Sequence, residues 1–232
     1  MNIHLILYLP NMRLLFILTS LFLYCPHSSM CQYFEGRLEY VTIFRSKKTQ
    51  KLFAEIPTIE TLKGAKRKTN VPHAEKGQLD WEIEDFSSGI SYSRKSYKNT
   101  HQPDSPLVVP IIRTKTCISG NSANRKLVRM GTILKIQGFE CNVIFEFADS
   151  IKMAEYYCCP AYRIDPAEYA CNRTDDLDRI YRFTGGELVV KWVITGGPHY
   201  IDYQLQKVHQ ETIDEKEFEI PKGIPIKDEV KH

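Results

Sequence analysis

Residues 181–206, YRFTGGELVVKWVITGGPHYIDYQLQ, decide the fold. Leu188 to Ile194 is a dense apolar run carrying Trp192, and Ile201, Tyr203 and Leu205 then alternate with Asp202, Gln204 and Gln206. Period-two alternation gives an extended strand one row of side chains for a core and one for water. Thr184-Gly185-Gly186 and Thr195-Gly196-Gly197-Pro198 read as turns, and Tyr181 to Phe183 as a further strand entering the first of them. Strands joined this way make an antiparallel meander.

The same period recurs elsewhere. From Phe34 to Arg45, Leu38, Tyr40, Thr42 and Phe44 share one face; Cys141, Val143, Phe145 and Phe147 alternate with Asn142 and Glu146. Trp81 to Glu84 and Ile90 to Ser93 flank the turn Asp85–Gly89 as a hairpin. Lys51 to Ile56, Val108 to Ile118, Met153 to Cys159 and Glu217 to Pro221 add strand material, with Pro160 stopping the third. Gly64, Pro72 and Gly77 break the rest of 47–80 into loops. Asp165 as N-cap with Pro166 at the first helical position predicts a short helix to about Arg173. The sum is an all-β chain with one or two short helices. Roughly eight to ten antiparallel strands would form a curved sheet or half-barrel.

The first thirty residues differ. Arg13 precedes the compact apolar run Leu14 to Leu23, and Ser28 and Ser29 follow it, the layout of a secretory signal peptide. Ser29 and Cys31 set cleavage before Gln32; an uncleaved membrane anchor is the alternative. The expected organisation is a signal at 1–31, one β-rich domain at 32–227 and a polar tail at 228–232. Export puts the domain in the periplasm or outside the cell. Without Arg13 the formal charge falls from +3 to +2, which gives no general electrostatic reason to bind nucleic acid. The basic cluster Lys63 to Lys68 reads as a solvated loop.

Cys25 and Cys31 leave with the signal. Cys117, Cys141, Cys158, Cys159 and Cys171 remain as disulfide candidates for an oxidising compartment, with connectivity open. Vicinal Cys158 and Cys159 do not bridge each other easily and would face opposite sides of a strand. A zinc site from Cys158, Cys159, Cys171 and His199 lacks the usual Cys-x-x-Cys pair. Asp175 to Asp178 lacks the loop that holds calcium and reads as a solvated turn. Asn172-Arg173-Thr174 matches a glycosylation acceptor. No Gly-x-Ser-x-Gly, His-Glu-x-x-His or phosphate-cradling loop is present, so no catalytic residue, metal or cofactor is assigned.

Three stretches carry a likeness: Gly36 to Tyr40, Ile136 to Cys141 and Phe218 to Gly223. Their order and spacing resemble a group of exported bacterial domains of unknown function, common in Bacteroidetes and related to the GLPGLI family, although the Gly-Leu-Pro-Gly-Leu-Ile string is absent. The resemblance implies a LolA-like half-barrel, similar to lipoprotein carriers, closing over an apolar cavity. It brings no active site. The expectation is therefore a non-enzymatic exported protein holding an apolar or lipid-like ligand, with Tyr156, Tyr157, Trp192 and Tyr203 lining the site and Tyr162 and Tyr200 near its mouth. An envelope protein-interaction module and a hydrolase with an unrecognised site are the alternatives.

Overall fold

The computed structural model describes residues 33–72, 74, 79–95, 109–115, 124–171, 177–196 and 199–229. The chain divides into two compact units, Met1–Gln32 and Tyr33–His232. The expected signal lies outside the described residues, as do Cys117 and the glycosylation acceptor.

Twelve strands of the second unit are described: β1 Gly36–Ser46, β2 Leu52–Lys63, β3 Lys66–Asn70, β4 Leu79–Asp85, β5 Ile90–Lys95, β6 Ile111–Lys115, β7 Arg125–Ile136, β8 Phe139–Ala148, β9 Ile151–Arg163, β10 Glu187–Ile194, β11 His199–Gln210 and β12 Ile226–Glu229. They form a single sheet in the order β12-β6-β5-β4-β3-β2-β1-β11-β10-β9-β8-β7. Two meanders, β1 to β6 and β7 to β11, are thus joined where β1 pairs with β11. The pairings are antiparallel except that between β12 and β6, which is parallel. Among the described residues no helix is long and apolar enough to cross a membrane.

The sheet is curved and open. Trp192 on β10 and Glu82 on β4 lie five strands apart, roughly 24 Å on a flat sheet, yet their side chains line one small cavity. Only a bend brings them together. Bulges supply it: the register slips between Glu39 and Tyr40 against β11, between Val189 and Lys191 against β9, and between Arg129 and Ile133 against β8. The inner face carries Leu38, Tyr40, Ile144, Tyr156, Trp192 and Leu205, all buried.

Among the described residues one α-helix, α1 (Leu177–Thr184), lies over this face, with Leu177, Ile180, Tyr181 and Thr184 buried. That spacing of three and four is helical, so Tyr181 to Phe183 is not the strand that the turn at Gly185 suggested. Gly185, at φ +74°, ends the helix. Gly186 follows at φ +91°, so close to the Ile164 carbonyl that a Cβ would clash with it.

The helix expected at Asp165 does not form. Asp165 Oδ1 accepts from the Ala167 amide at 2.9 Å, as a cap does. Between 165 and 171, however, only Tyr169 is buried, and no apolar stripe exists to hold more than a turn. The strand expected at Glu217–Pro221 is instead a short 3₁₀ turn, Glu215–Phe218, with the Asp214 side chain accepting from the Lys216 amide at 3.0 Å. Phe218 packs there against Ile83 and Ile213. Pro160 does not stop β9, because Cys159 pairs with Leu188 and Arg163 with Glu187. Residues 160–162 form a bulge in which a missing N–H costs nothing. Part of the expected tail is strand, since β12 runs to Glu229.

Lys63 to Lys68 is no solvated loop. It spans the β2–β3 hairpin, where Lys66 and Lys68 face the 3₁₀ segment and pair with Glu215 at 2.7 Å and Glu217 at 3.6 Å. Arg67 points the other way and is buried.

The cysteine expectation is corrected at three positions. Cys141, Cys158 and Cys159 are buried free thiols. The register places Asn142, not Cys141, opposite Cys158, which removes the nearest partner. Cys171 is disulfide-bonded, to a residue outside the described set. Burial pushes the Cys141 thiol up to about 12 and raises Cys158 well above its ordinary value.

Leu205, fully buried between β1 and β10, should lose about 2–5 kcal/mol of stability as Leu205→Ala in urea unfolding. Ile226→Ala, half exposed on β12, should stay within about 0.5 kcal/mol. The three free thiols should resist iodoacetamide in the native protein at pH 8, with alkylation at each position read by mass spectrometry, and react once the chain is unfolded. The unfolded chain loses the Cys141 proton near 9.0, whereas the folded one holds it to about 12. Stability is therefore unaffected by this group below pH 9 and should fall as pH rises from 9 towards 12.

Candidate binding cavity

Among the described residues the inner face lines a hollow. A cavity of about 200 Å³ opens among Tyr40 and Thr42 of β1, Thr58 and Glu60 of β2, Arg67 and Thr69 of β3, Val71 just after β3, Leu79 and Glu82 of β4, Trp192 of β10 and Tyr203 of β11. β1, β2 and β3 contribute alternate positions, and on β4 a register shift between Leu79 and Trp81 lies between Leu79 and Glu82, so the lining is one face of the sheet read across its bend.

One wall is aromatic. Trp192 and Tyr203 pair directly across β10 and β11, and their rings stack at 3.8 Å between centroids and 18° between planes. Tyr40 stands beside them and donates its hydroxyl to the Val189 carbonyl at 2.8 Å, tying β1 to β10 across the intervening strand. Burial pushes its phenol well above the ordinary value, with the nearby Glu60 charge adding to the effect.

The floor is charged. Arg67 Nε donates to Glu84 Oε2 at 2.6 Å, and an Arg67 terminal nitrogen lies 3.6 Å from Glu60. The side chains of Arg67 and Glu84 are 6% and 1% exposed. A buried pair of this kind holds only because each charge has the other; removing one partner strands the second in a low dielectric. The guanidinium also lies 5.7 Å from the Phe86 ring. Phe86 packs on Tyr169 at 4.6 Å and Tyr169 meets Tyr181 of α1 edge-on at 5.5 Å, so an aromatic chain links the charged floor to the helix above it. Glu82 accepts from the Ser91 hydroxyl at 2.8 Å.

The expected lining residues separate. Trp192 and Tyr203 line the cavity; Tyr156 and Tyr157 do not. Tyr156 is one strand further on, pairs with Trp192 and donates to Glu146 at 3.1 Å, a carboxylate that Arg179 of α1 holds at 2.7 Å. Tyr157 projects from the opposite face, where it donates to Glu155 at 2.8 Å and burial pushes its phenol up to about 12. Tyr162 packs edge-on against Phe34 at 5.7 Å, and Tyr200 lies beneath Lys47. Asp178 is not in a solvated turn: it is buried in the first turn of α1, paired with Arg182 at 2.6 Å. Asp175 and Asp176 lie outside the described residues. No group of three His, Cys, Asp or Glu among the described residues is placed to hold a metal ion.

Arg67, Glu60, Glu82 and Glu84 are not expected from the sequence. A signal existed, in that Glu82 and Glu84 are two apart on a strand and Arg67 is two from Thr69, the spacing of a single face. A broader groove of about 570 Å³ runs along Val41, Ile43, Pro57 and Ile59 on the outer face. Despite its size it has neither stacked aromatics nor a buried ion pair, and the inner cavity is the better candidate.

No protein-family model matches the chain, and no curated protein matches it. Among solved structures it is similar to PNGF-II, with a TM-score of 0.48 and 13% identity over 84% of this chain and 32% of that one. It therefore spans about a third of that protein's length. It is also similar to the LolA superfamily protein NE2245 from Nitrosomonas europaea, with a TM-score of 0.38 and 7% identity over 82% of this chain and 91% of that one. A LolA superfamily protein is thus among the neighbours, while neither match bears on the GLPGLI group or on a Bacteroidetes source.

Proposed function

We propose that the chain is an exported binding protein that takes a small amphipathic group into the inner cavity, without catalysis. The observation that carries this is the hollow itself: a stacked Trp192–Tyr203 wall beside a charged floor, all on strands that the bent sheet holds rigidly. Aromatic faces give apolar contact area, and the hydroxyls of Thr42, Thr58 and Thr69 with the carboxylates of Glu60 and Glu82 fix a polar edge.

The size narrows the LolA-like expectation. About 200 Å³ is below the range of roughly 300–1,000 Å³ that encloses a drug-sized molecule. A ring or headgroup fits; a whole acyl chain does not. More than half of the lining residues are polar, so the ligand is amphipathic rather than purely apolar. An exported carrier or receptor that grips one end of a larger molecule matches this shape, and the larger molecule can be a lipid or an envelope component. Export rests on the residue pattern of 1–31.

Two measurements test the reading. Native mass spectrometry of the protein purified from its exporting host should show a bound small molecule that is lost in Thr58→Trp, which fills the cavity. Adducts unchanged by that substitution, or none in either protein, would remove the cavity from consideration. N-terminal sequencing of the exported product should begin at Gln32, and retention of residues 1–31 would favour the anchor.

A further inference from the structure

Among the described strands, the two edges of the sheet are built differently. β12, at one end, is four residues long and carries Lys227, Asp228 and Glu229, all exposed. A short, charged strand is the usual protection of an open edge. β7, at the other end, is twelve residues long, and its segment Met130–Leu134 holds no charged residue. There Met130, Ile133 and Leu134 are 43%, 67% and 42% exposed, and a Cβ added to Gly131 would meet nothing within 4 Å. The first half of the same strand is held from within. Arg179 of α1 donates to the Arg125 carbonyl at 3.0 Å, Leu127 packs on the core, and Arg129 lies 3.3 Å from Glu187. The open part of the edge is therefore the second half of β7.

Ile133 and Leu134 are adjacent on a strand and so point to opposite faces. A partner laid on one face of the sheet would cover one and leave the other wet. A strand added at the edge gives each a cross-strand neighbour on its own face. A second copy of β7 supplies such a strand. A two-fold axis normal to the sheet at Ile133 runs the two strands antiparallel and sets Ile133 against itself, Thr132 against Leu134, Met130 against Ile136 and Gly131 against Lys135. Apolar side chains then meet apolar ones, and the bare Gly131 leaves space for the Lys135 stem. Arg129 falls opposite Gln137, so no cation of the strand faces another. The register against β8 slips between Arg129 and Ile133, so β8 does not hold residues 130–132 in step and leaves them to be fixed by the added strand. A β7-to-β12 contact would instead match twelve residues with four and propagate without closing.

We propose that two copies of this chain join edge to edge through β7, antiparallel about Ile133, into one continuous sheet. The nearest cavity-lining strand, β10, is three strands in from β7, so the contact leaves the inner cavity open and is independent of what binds there. Sedimentation velocity of the exported product over a rising concentration series should show a monomer–dimer equilibrium. Ile133→Lys sets two like charges opposite each other at the axis and should weaken the dimer at least about tenfold. Ile151→Lys, the same change at a residue of β9 that is 68% exposed, should leave it unchanged. Both positions are exposed, and thermal melts verify that both variants fold. In oxidised glutathione, Ile133→Cys should form a covalent dimer, because the register brings the two β-carbons within disulfide reach. Lys126→Cys, exposed on the same strand but away from the axis, should not.

A monomer at every concentration, or a dimer that survives Ile133→Lys, would overturn the proposal. A monomer that sediments with phosphatidylcholine vesicles, and no longer does so as Ile133→Lys, would assign the edge to a lipid surface and overturn it equally. Thr58→Trp should leave the dimer intact, so the edge contact and the cavity reading fail separately.

Discussion

A sheet twelve strands wide that rests on no second sheet must bury a face by bending over whatever lies on it. Here the material beneath the bent sheet is α1 and the turn carrying Tyr169. The Tyr40 hydroxyl on the Val189 carbonyl, the Phe86–Tyr169–Tyr181 contacts and the Arg179–Glu146 pair all span elements that a flat sheet would hold far apart. These contacts and the bend define each other. Straighten the sheet and they separate; remove them and the inner face of β1, β10 and β11 is exposed to water.

The filling is incomplete at the cavity, and the residue types change there. Around the hollow the inner face is Thr, Glu, Arg and stacked aromatics; elsewhere it is mainly apolar, with a second buried polar contact at Tyr156, Glu146 and Arg179. A protein optimising only its core would place apolar side chains at Glu60, Arg67 and Glu84, since a buried ion pair is seldom better than a hydrophobic replacement of equal volume. Local departures from good packing chemistry are expected at functional sites. The charged floor is one such departure, and it is compatible with the proposed binding role.

The sequence shows the strands well and the site poorly, for physical reasons visible in particular residues. The strands at 201–206 and 141–147 form where the alternation suggests, but burial does not follow it: Ile144 and Glu146, on the face read as wet, are buried, while Phe145 and Phe147 are only partly so. Tyr181 to Phe183 misleads because three residues are too few to tell period two from 3.6, and the deciding pair, Leu177 and Ile180, lies upstream. Pro160 misleads because a bulge accommodates it. Arg67 is hidden within a run of basic residues, where only the strand's alternation separates a buried guanidinium from two half-buried, ion-paired lysines. Tyr156 and Tyr157 illustrate the same limit. Aromatic identity marks them as candidates, but which one faces the interior, and whether the hollow reaches it, depends on curvature that no local pattern encodes.

The bent interior stands or falls with the Arg67–Glu84 pair, since on a flat, uncovered sheet it would be an ordinary surface contact. Urea unfolding of Arg67→Met and of Arg67→Met/Glu84→Leu measures this directly. The single substitution strands a buried carboxylate and should cost about 3–5 kcal/mol, and the double should recover most of that loss. A single-variant loss below about 1 kcal/mol, the size expected of an exposed pair, with no recovery in the double, would contradict a closed inner face.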